Sequence, residues 1–129
     1  MKVLLIDDSR CMREIVRSVL VQLGDVRIVE ADGGRAGLEL ARAERPDLVL
    51  VDGVMPDIDG LGFLRGMRQF DDQTPVIVML SGHDREAVIE AVKAGASTCL
   101  VKPFTPDLLS QRVQEALAGT TAAGLRAAS

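Results

Sequence analysis

Polar side chains that could do chemistry stand directly after four apolar runs in this sequence of 129 residues. Asp7 and Asp8 follow the first run, Asp52 the second, Ser81 the third and Lys102 the fourth. Three carboxylates gathered in one place repel each other and favour a hard divalent cation such as Mg²⁺. With a hydroxyl and an ammonium beside them, they would suit phosphoryl transfer, in which catalysis is mostly positioning and charge neutralisation. Since no Ser, Cys or His stands beside a general base, the pattern favours a carboxylate nucleophile.

Each of these residues also has a purely structural interpretation. Asp7, Asp8 or Ser9 could cap the helix that follows, where free N–H groups and the helix dipole favour such side chains. A helix needs only one capping residue, however, so capping does not explain why two adjacent acids, Asp7 and Asp8, stand there. Asp52 is the sharper case, because a carboxylate at the end of an apolar strand is costly to bury unless it is paired or bound to a metal. A lone serine or lysine is more often an ordinary surface group.

The elements that must position these residues alternate along the chain, in the order that indicates a parallel sheet with crossover helices. Apolar runs predict strands at residues 3–6, 26–30, 48–51, 76–80 and 98–101. Helical spacing of apolar residues predicts helices at 12–23, 34–43, 61–67, 87–92 and 106–117. Right-handed crossovers then give a doubly wound α/β fold, with the more polar second strand at an edge. Ligands of such sheets bind beyond the carboxyl ends of the strands, where the five polar residues stand.

Composition argues against several classes of function. A net charge of −4 disfavours direct nucleic-acid binding, because clustered Lys and Arg supply that affinity, and the absence of Trp and Tyr removes base-stacking platforms. No apolar run approaches the roughly 20 residues of a membrane-spanning helix. We therefore expect a cytoplasmic protein without a signal peptide that binds neither membranes nor nucleic acid. Cys11 and Cys99 are too far apart for a zinc or redox motif and are expected to be reduced thiols.

The domain organisation is simple. Residues 1–118 are long enough for one domain with a single core. Residues 119–129 shift in composition to Gly, Thr, Ala and Ser, which predicts a flexible tail or the stub of a linker.

Six segments of the chain resemble the receiver domains of two-component response regulators, the CheY-like family. They are Val-Leu-Leu-Ile-Asp-Asp-Ser at 3–9, Pro-Asp-Leu-Val-Leu-Val-Asp at 46–52, Met55-Pro56 with Asp59-Gly60-Leu61, Pro-Val-Ile-Val-Met-Leu-Ser at 75–81, Ala-Gly-Ala at 94–96 and Val-Lys-Pro-Phe at 101–104. Any one segment is a weak signal, but all of them in order and at the family's spacing form a strong one. The resemblance covers residues 2–118 and implies a flavodoxin-like five-stranded sheet in the order 2-1-3-4-5.

The resemblance implies a role for each polar residue. Asp52 would be the phosphoacceptor. Asp8 would bind Mg²⁺ directly and Asp7 largely through water, with the backbone carbonyl of Val54 completing the protein ligands, so that Asp7, Asp8, Asp52 and Val54 form the metal site. Lys102 would contact the phosphoryl group.

The resemblance also implies a switch, in which Ser81 reorients to bond the phosphoryl group. This would shift the surface formed by the fourth helix, the fifth strand and the fifth helix. Pro103 is expected to follow a cis peptide bond. The sequence departs from the family at Cys99, where an aromatic switch residue is usual, and at Gly82, where Ala is usual. His83 falls where family members tune the lifetime of the phosphoryl group, and a solvated loop histidine is an equally good interpretation.

The implied protein is a signalling phosphoacceptor and not a metabolic enzyme. It would take a phosphoryl group from a sensor histidine kinase or a histidine phosphotransfer protein. It would catalyse its own phosphorylation and, slowly, its own dephosphorylation. It would bind a downstream target protein through the surface of the fourth helix, the fifth strand and the fifth helix. A haloacid-dehalogenase-like phosphatase is disfavoured because it wants a second Asp where Val54 stands. A flavodoxin-like electron carrier is disfavoured because Asp7 and Asp8 would repel the flavin phosphate. The serious alternative is a receiver-like interaction module that is seldom phosphorylated, against which the intact set of five polar residues argues.

Overall fold

The computed structural model describes residues 1–82 and 85–119. Its strands are β1 Lys2–Ile6, β2 Arg27–Ala31, β3 Leu48–Asp52, β4 Val76–Ser81 and β5 Thr98–Lys102. Its helices are α1 Arg10–Leu20, α2 Gly34–Glu44, α3 Gly60–Arg68, α4 Arg85–Lys93 and α5 Pro106–Ala118. The loop residue His83 lies outside the described residues, and so does the predicted tail after Gly119.

The five strands form one parallel sheet in the order β2-β1-β3-β4-β5. This confirms the predicted doubly wound topology and the edge position of β2. The register aligns the carboxyl ends of the strands, since Ile6 lies opposite Val51 and Ser81 lies opposite Lys102. Residues that follow these ends therefore share one edge of the sheet.

Two apolar layers cover the sheet. Side chains alternate along each strand, so Leu4 and Ile6 face one layer while Val3 and Leu5 face the other. The first layer packs against α2, α3 and α4 and the second against α1 and α5. Because both faces are covered, β1 and β3 read as continuous apolar runs in the sequence. In the described part of the chain, no helix is both long and apolar enough to cross a membrane.

The helix ends follow local sequence signals. Ser9 caps α1, because its hydroxyl accepts a hydrogen bond of 3.2 Å from the Met12 N–H. Pro106 occupies the first turn of α5, which Thr105 caps. The α-helix predicted through residue 23 ends at Leu20 and continues as a 3₁₀ turn over Val21–Leu23, a common tightening of a last helical turn.

Candidate functional site

Three carboxylates meet at the carboxyl edge of the sheet. Asp7 and Asp8 directly follow β1, and Asp52 is the last residue of β3, the strand beside β1. One carboxylate oxygen from each residue lies within 4.8 Å of the others. The meeting follows from the fold, because neighbouring parallel strands of equal register end at the same level.

Burial distinguishes the three acids. Asp7 is 0% exposed and Asp52 is 7% exposed, and in the described ranges these are the only buried polar or charged residues. Asp8 is exposed. Ser9 already caps α1, so neither acid is needed as that cap. Burying two ionisable acids beside a third has to be offset by cations or hydrogen bonds, which indicates a site built to hold positive charge.

Lys102 supplies one of these cations. Its Nζ donates a hydrogen bond of 2.9 Å to Asp52 Oδ1 and lies 3.7 Å from Asp7 Oδ2. Lys102 ends β5, and β4 separates β5 from β3, so the ammonium crosses the end of one intervening strand to reach the acids. Its side chain is 19% exposed. The Lys102–Pro103 peptide bond is cis.

One oxygen of the acid cluster lacks a hydrogen bond. The Ser9 N–H donates 2.9 Å to Asp7 Oδ1, whereas Asp7 Oδ2 is buried without a hydrogen-bond partner among the described residues. Burial raises the pKa of the Asp7 carboxyl above its usual value; the Ser9 N–H lowers it, the Asp52 charge raises it and Lys102 lowers it. A buried carboxylate oxygen without a hydrogen bond is costly, and a bound cation would reduce that cost.

The donor set fits a hard divalent cation. Asp7, Asp8 and Asp52 provide carboxylate oxygens at one place, and oxygen ligands of this kind suit Mg²⁺. Val54 lies two residues after Asp52, at the start of the loop that leads to α3, and is 72% exposed. Its backbone carbonyl belongs to the segment beside the acids. The single ammonium of Lys102 leaves the three carboxylates with a net negative charge, which is the electrostatic setting that a divalent cation balances.

Ser81 and Gly82 stand at the same edge. Ser81 ends β4, between the strands that carry Asp52 and Lys102, and is exposed. Gly82 follows with a φ of 72°, in the left-handed region that favours glycine over alanine. The departure from the family at this position therefore has a local backbone reason. A cavity of about 250 Å³ lies on the α3 and α4 side of this edge and is lined in part by Val54, Leu61, Leu80, Ser81 and Ala87.

Cys99 lies on β5, three residues before Lys102. Its side chain is partly buried and packs against the apolar layer between the sheet and helices α2, α3 and α4. Burial raises the pKa of the Cys99 thiol to about 11, and Arg112 opposes this only in part. The Arg112 Nε also donates a hydrogen bond of 3.2 Å to the Cys99 carbonyl. Cys99 is thus a small apolar group at this position, and its thiol is protonated at neutral pH.

Two residues that support the site were not identified from the sequence. Arg13 donates from Nη1 to the Asp7 carbonyl and from Nε to Glu30 at 3.0 Å. Asp57 accepts hydrogen bonds from the Gly34 and Arg35 N–H groups at the start of α2. Nothing in the local sequence marks Arg13. For Asp57 a partial signal existed, because Gly33 precedes α2 and offers no side chain to bond the first N–H groups of that helix.

Known proteins share this architecture over most of the chain. The family model of the response regulator receiver domain matches residues 3–114. The chemotaxis protein CheY of Bacillus subtilis is 33% identical over 116 residues, which cover 90% of this chain and 97% of that protein. CheY of Thermotoga maritima is 34% identical over 116 residues, covering 90% and 93%. The solved structure of the chemotaxis response regulator CheY4 of Vibrio cholerae has a TM-score of 0.84 at 32% identity and covers 90% of this chain and 98% of that one.

Proposed function

This chain belongs to the family of response regulator receiver domains, which are signalling proteins, and we propose that it accepts a phosphoryl group on Asp52 in a Mg²⁺-dependent reaction. The donor is a phosphohistidine of a sensor histidine kinase or of a histidine phosphotransfer protein. We assign residues 1–118 to the receiver domain, because β1 begins at Lys2 and α5 ends at Ala118. A cytoplasmic location belongs to the same proposal.

The observation that carries the proposal is the meeting of three carboxylates with one ammonium. Asp52 is the nucleophile, since it ends the central strand β3, belongs to the acid cluster and accepts the hydrogen bond of Lys102. Asp8 would hold Mg²⁺ directly and Asp7 largely through water, together with Asp52 and the Val54 carbonyl. When bound, the cation neutralises charge on the phosphoryl oxygens and on the carboxylates.

Transfer needs a nucleophile and two charge-neutralising groups. A carboxylate oxygen of Asp52 forms the new O–P bond while the P–N bond to the donor imidazole breaks. The electron pair stays on the imidazole nitrogen, which takes a proton from solvent. Lys102, at 2.9 Å from Asp52 Oδ1, is close enough to neutralise negative charge on a phosphoryl group carried by this residue. Attack of water on phosphorus later releases inorganic phosphate and restores the carboxylate, which is the slow dephosphorylation.

Signalling then depends on the neighbouring strands. Ser81, at the end of β4, turns its hydroxyl to the phosphoryl oxygens, and this change reaches the surface formed by α4, β5 and α5, which binds a downstream target protein. Cys99 replaces the aromatic that normally moves with this hydroxyl, so we propose a smaller rearrangement than in relatives with Tyr or Phe. The chain acts through protein partners and not through direct contact with nucleic acid or membranes.

The test is phosphorylation by a small-molecule donor. The wild-type protein is incubated with acetyl phosphate and Mg²⁺, and its intact mass is recorded beside those of Asp52→Asn and Asp47→Asn. Asp47 precedes the opposite end of β3, where it accepts a hydrogen bond of 2.7 Å from the Lys2 N–H, so it controls for loss of an acid near the same strand.

One phosphoryl group is expected on the wild type and on Asp47→Asn, only with Mg²⁺ present, and none on Asp52→Asn. If the wild type stays unmodified with acetyl phosphate and then also with a phosphohistidine donor, the proposal is wrong. The alternative, an interaction module that acts without phosphorylation, would then take its place.

A further inference from the structure

The loop between β3 and α3 carries Val54, and both of its ends are attached beside Asp52. The Gly53 N–H donates a hydrogen bond of 2.7 Å to the Met79 carbonyl, and the Gly60 N–H donates one of 3.0 Å to the Gly53 carbonyl. A Cβ on Gly60 would lie 2.7 Å from the Asp52 carbonyl oxygen, which shows how closely the loop returns to the phosphoacceptor. The ends of the loop are therefore held by backbone contacts.

The middle of the loop depends on side chains. Within the described residues, residues 54–58 make no backbone–backbone hydrogen bond to the rest of the fold. Met55 is buried in the apolar layer that packs against α2, α3 and α4. Asp57 provides the polar attachment, because its Oδ1 accepts 3.0 Å from the Gly34 N–H and its Oδ2 accepts 2.9 Å from the Arg35 N–H.

These two N–H groups are among the donors at the start of α2 that have no partner within the helix. The residue at the cap position is Gly33, which has no side chain to bond them, so Asp57 caps α2 from 22 or more residues away. The approach is tight. A Cβ on Gly34 would lie 2.9 Å from the Ile58 carbonyl oxygen, and a Cβ on Gly33 would lie 3.1 Å from Asp57 Oδ2.

We propose that Asp57 is a positioning residue for the metal site, which holds the loop carrying the Val54 carbonyl against the N-terminus of α2. The inference rests on the proposed function, because Val54 is taken as a ligand there. The physical reason is that a backbone carbonyl binds a cation more tightly when its segment is already held in the binding orientation, because less ordering is then needed on binding. Groups that orient metal ligands typically change metal affinity by about tenfold or more when they are removed.

The experiment separates this positioning from simple helix capping. Mg²⁺ affinity is measured by NMR titration of backbone amide shifts, which also shows that each variant is folded. The variants are Asp57→Ala, which removes cap and attachment, and Asp57→Ala with Gly33→Ser, which returns a local cap to α2 but not the attachment. Gly33 has an extended backbone with φ −164°, which serine adopts, and the carboxylate that would crowd a Cβ there is absent in this background.

Asp71→Asn is the matched control. Asp71 accepts 3.0 Å from both the Gln73 and Thr74 N–H groups in the turn before β4, so it is another aspartate that holds a turn, outside the metal site. We expect Asp71→Asn to lower stability and leave Mg²⁺ affinity unchanged. Asp57→Asn, which keeps one acceptor oxygen, is included as a milder change should Asp57→Ala fail to fold.

We expect Mg²⁺ affinity to fall about tenfold in Asp57→Ala and to stay low when Gly33→Ser restores stability. Recovery of affinity in the double variant would overturn the proposal, because the effect would then belong to the helix cap. An unchanged affinity in Asp57→Ala, or in Asp57→Asn if only that variant folds, would also overturn it. A wild type that binds no Mg²⁺ while remaining folded would refute the proposed function itself, and this inference with it.

Discussion

Lys102 donates a hydrogen bond of 2.9 Å to Asp52 across 50 residues of chain. The pair joins the end of an edge strand to the end of the central strand, and Asp7 lies 3.7 Å from the same ammonium. Lys102 therefore supplies the protein's own positive charge to the acid cluster. Its ammonium lies beside the Asp52 oxygen, close to where a phosphoryl group on Asp52 would bring further negative charge.

Replacing Lys102 by Met should slow phosphorylation of Asp52 about tenfold to a hundredfold, because an ammonium that neutralises transferred charge is removed. The rate is measured as the appearance of the phosphorylated mass with acetyl phosphate and Mg²⁺. Lys93→Met is the control, since Lys93 is exposed at the end of α4. Equal rates in the two variants would show that Lys102 takes no part in transfer.

Replacing Asp8 by Asn should weaken the stabilisation of the protein by Mg²⁺. Asp8 is exposed and repels Asp7, so without metal the variant should unfold at the same temperature as the wild type or slightly higher. Millimolar Mg²⁺ should raise the melting temperature of the wild type clearly more than that of Asp8→Asn. Asp25→Asn, an exposed acid before β2, should respond to Mg²⁺ like the wild type; an identical response in Asp8→Asn would exclude Asp8 as a ligand.

Replacing Arg13 by Met should lower the free energy of unfolding by about 1–2 kcal/mol, because the partly buried guanidinium bonds both the Asp7 carbonyl and Glu30. Arg10→Met should change it by less than about 0.5 kcal/mol, since the Arg10 side chain is 86% exposed and its ion pair with Glu14 is solvated. Urea unfolding measures both values. Similar losses of unfolding free energy in the two variants would show that the hydrogen bond from Arg13 to the Asp7 carbonyl does not stabilise the fold.

The capping role of Asp57 should appear in the pH dependence of stability. Hydrogen bonds from the N–H groups of Arg35, Ile58 and Gly34 lower the pKa of Asp57 from 3.8 to about 2. Since the folded pKa lies below the unfolded one, this stabilisation is complete above about pH 4–5 and is lost as the pH falls towards 2. The difference in unfolding free energy between wild type and Asp57→Asn, measured without metal, should shrink over this interval. A difference that is constant with pH would contradict the assignment.

The two cysteines should differ in reactivity. With a pKa raised by burial to about 11, roughly one Cys99 thiol in a thousand is ionised at pH 8, and only the thiolate reacts with iodoacetamide. Cys11 is exposed and should be alkylated first. Mass spectrometry of the wild type at pH 8 should show one fast modification, and Cys11→Ser should remove it. Rapid modification of the Cys11→Ser variant would show that Cys99 is more accessible than its packing implies.

Local patterns in the sequence determined much of this protein. Apolar runs identified the strands, because a parallel strand covered on both faces must be apolar throughout. The polar residues that follow those runs marked the edge at which Asp7, Asp52 and Lys102 meet. Turn and cap signals such as Pro106 placed the start of α5, since they act within a few residues.

Only the tertiary structure decided how these residues divide their roles. Asp7 and Asp8 are adjacent in sequence, yet one is buried and the other exposed, because neighbouring residues at a strand end point in different directions. Arg13 and Asp57 reach backbone groups that belong to other elements of the fold. Such contacts depend on which elements lie side by side in space, and no local periodicity in the sequence records that arrangement.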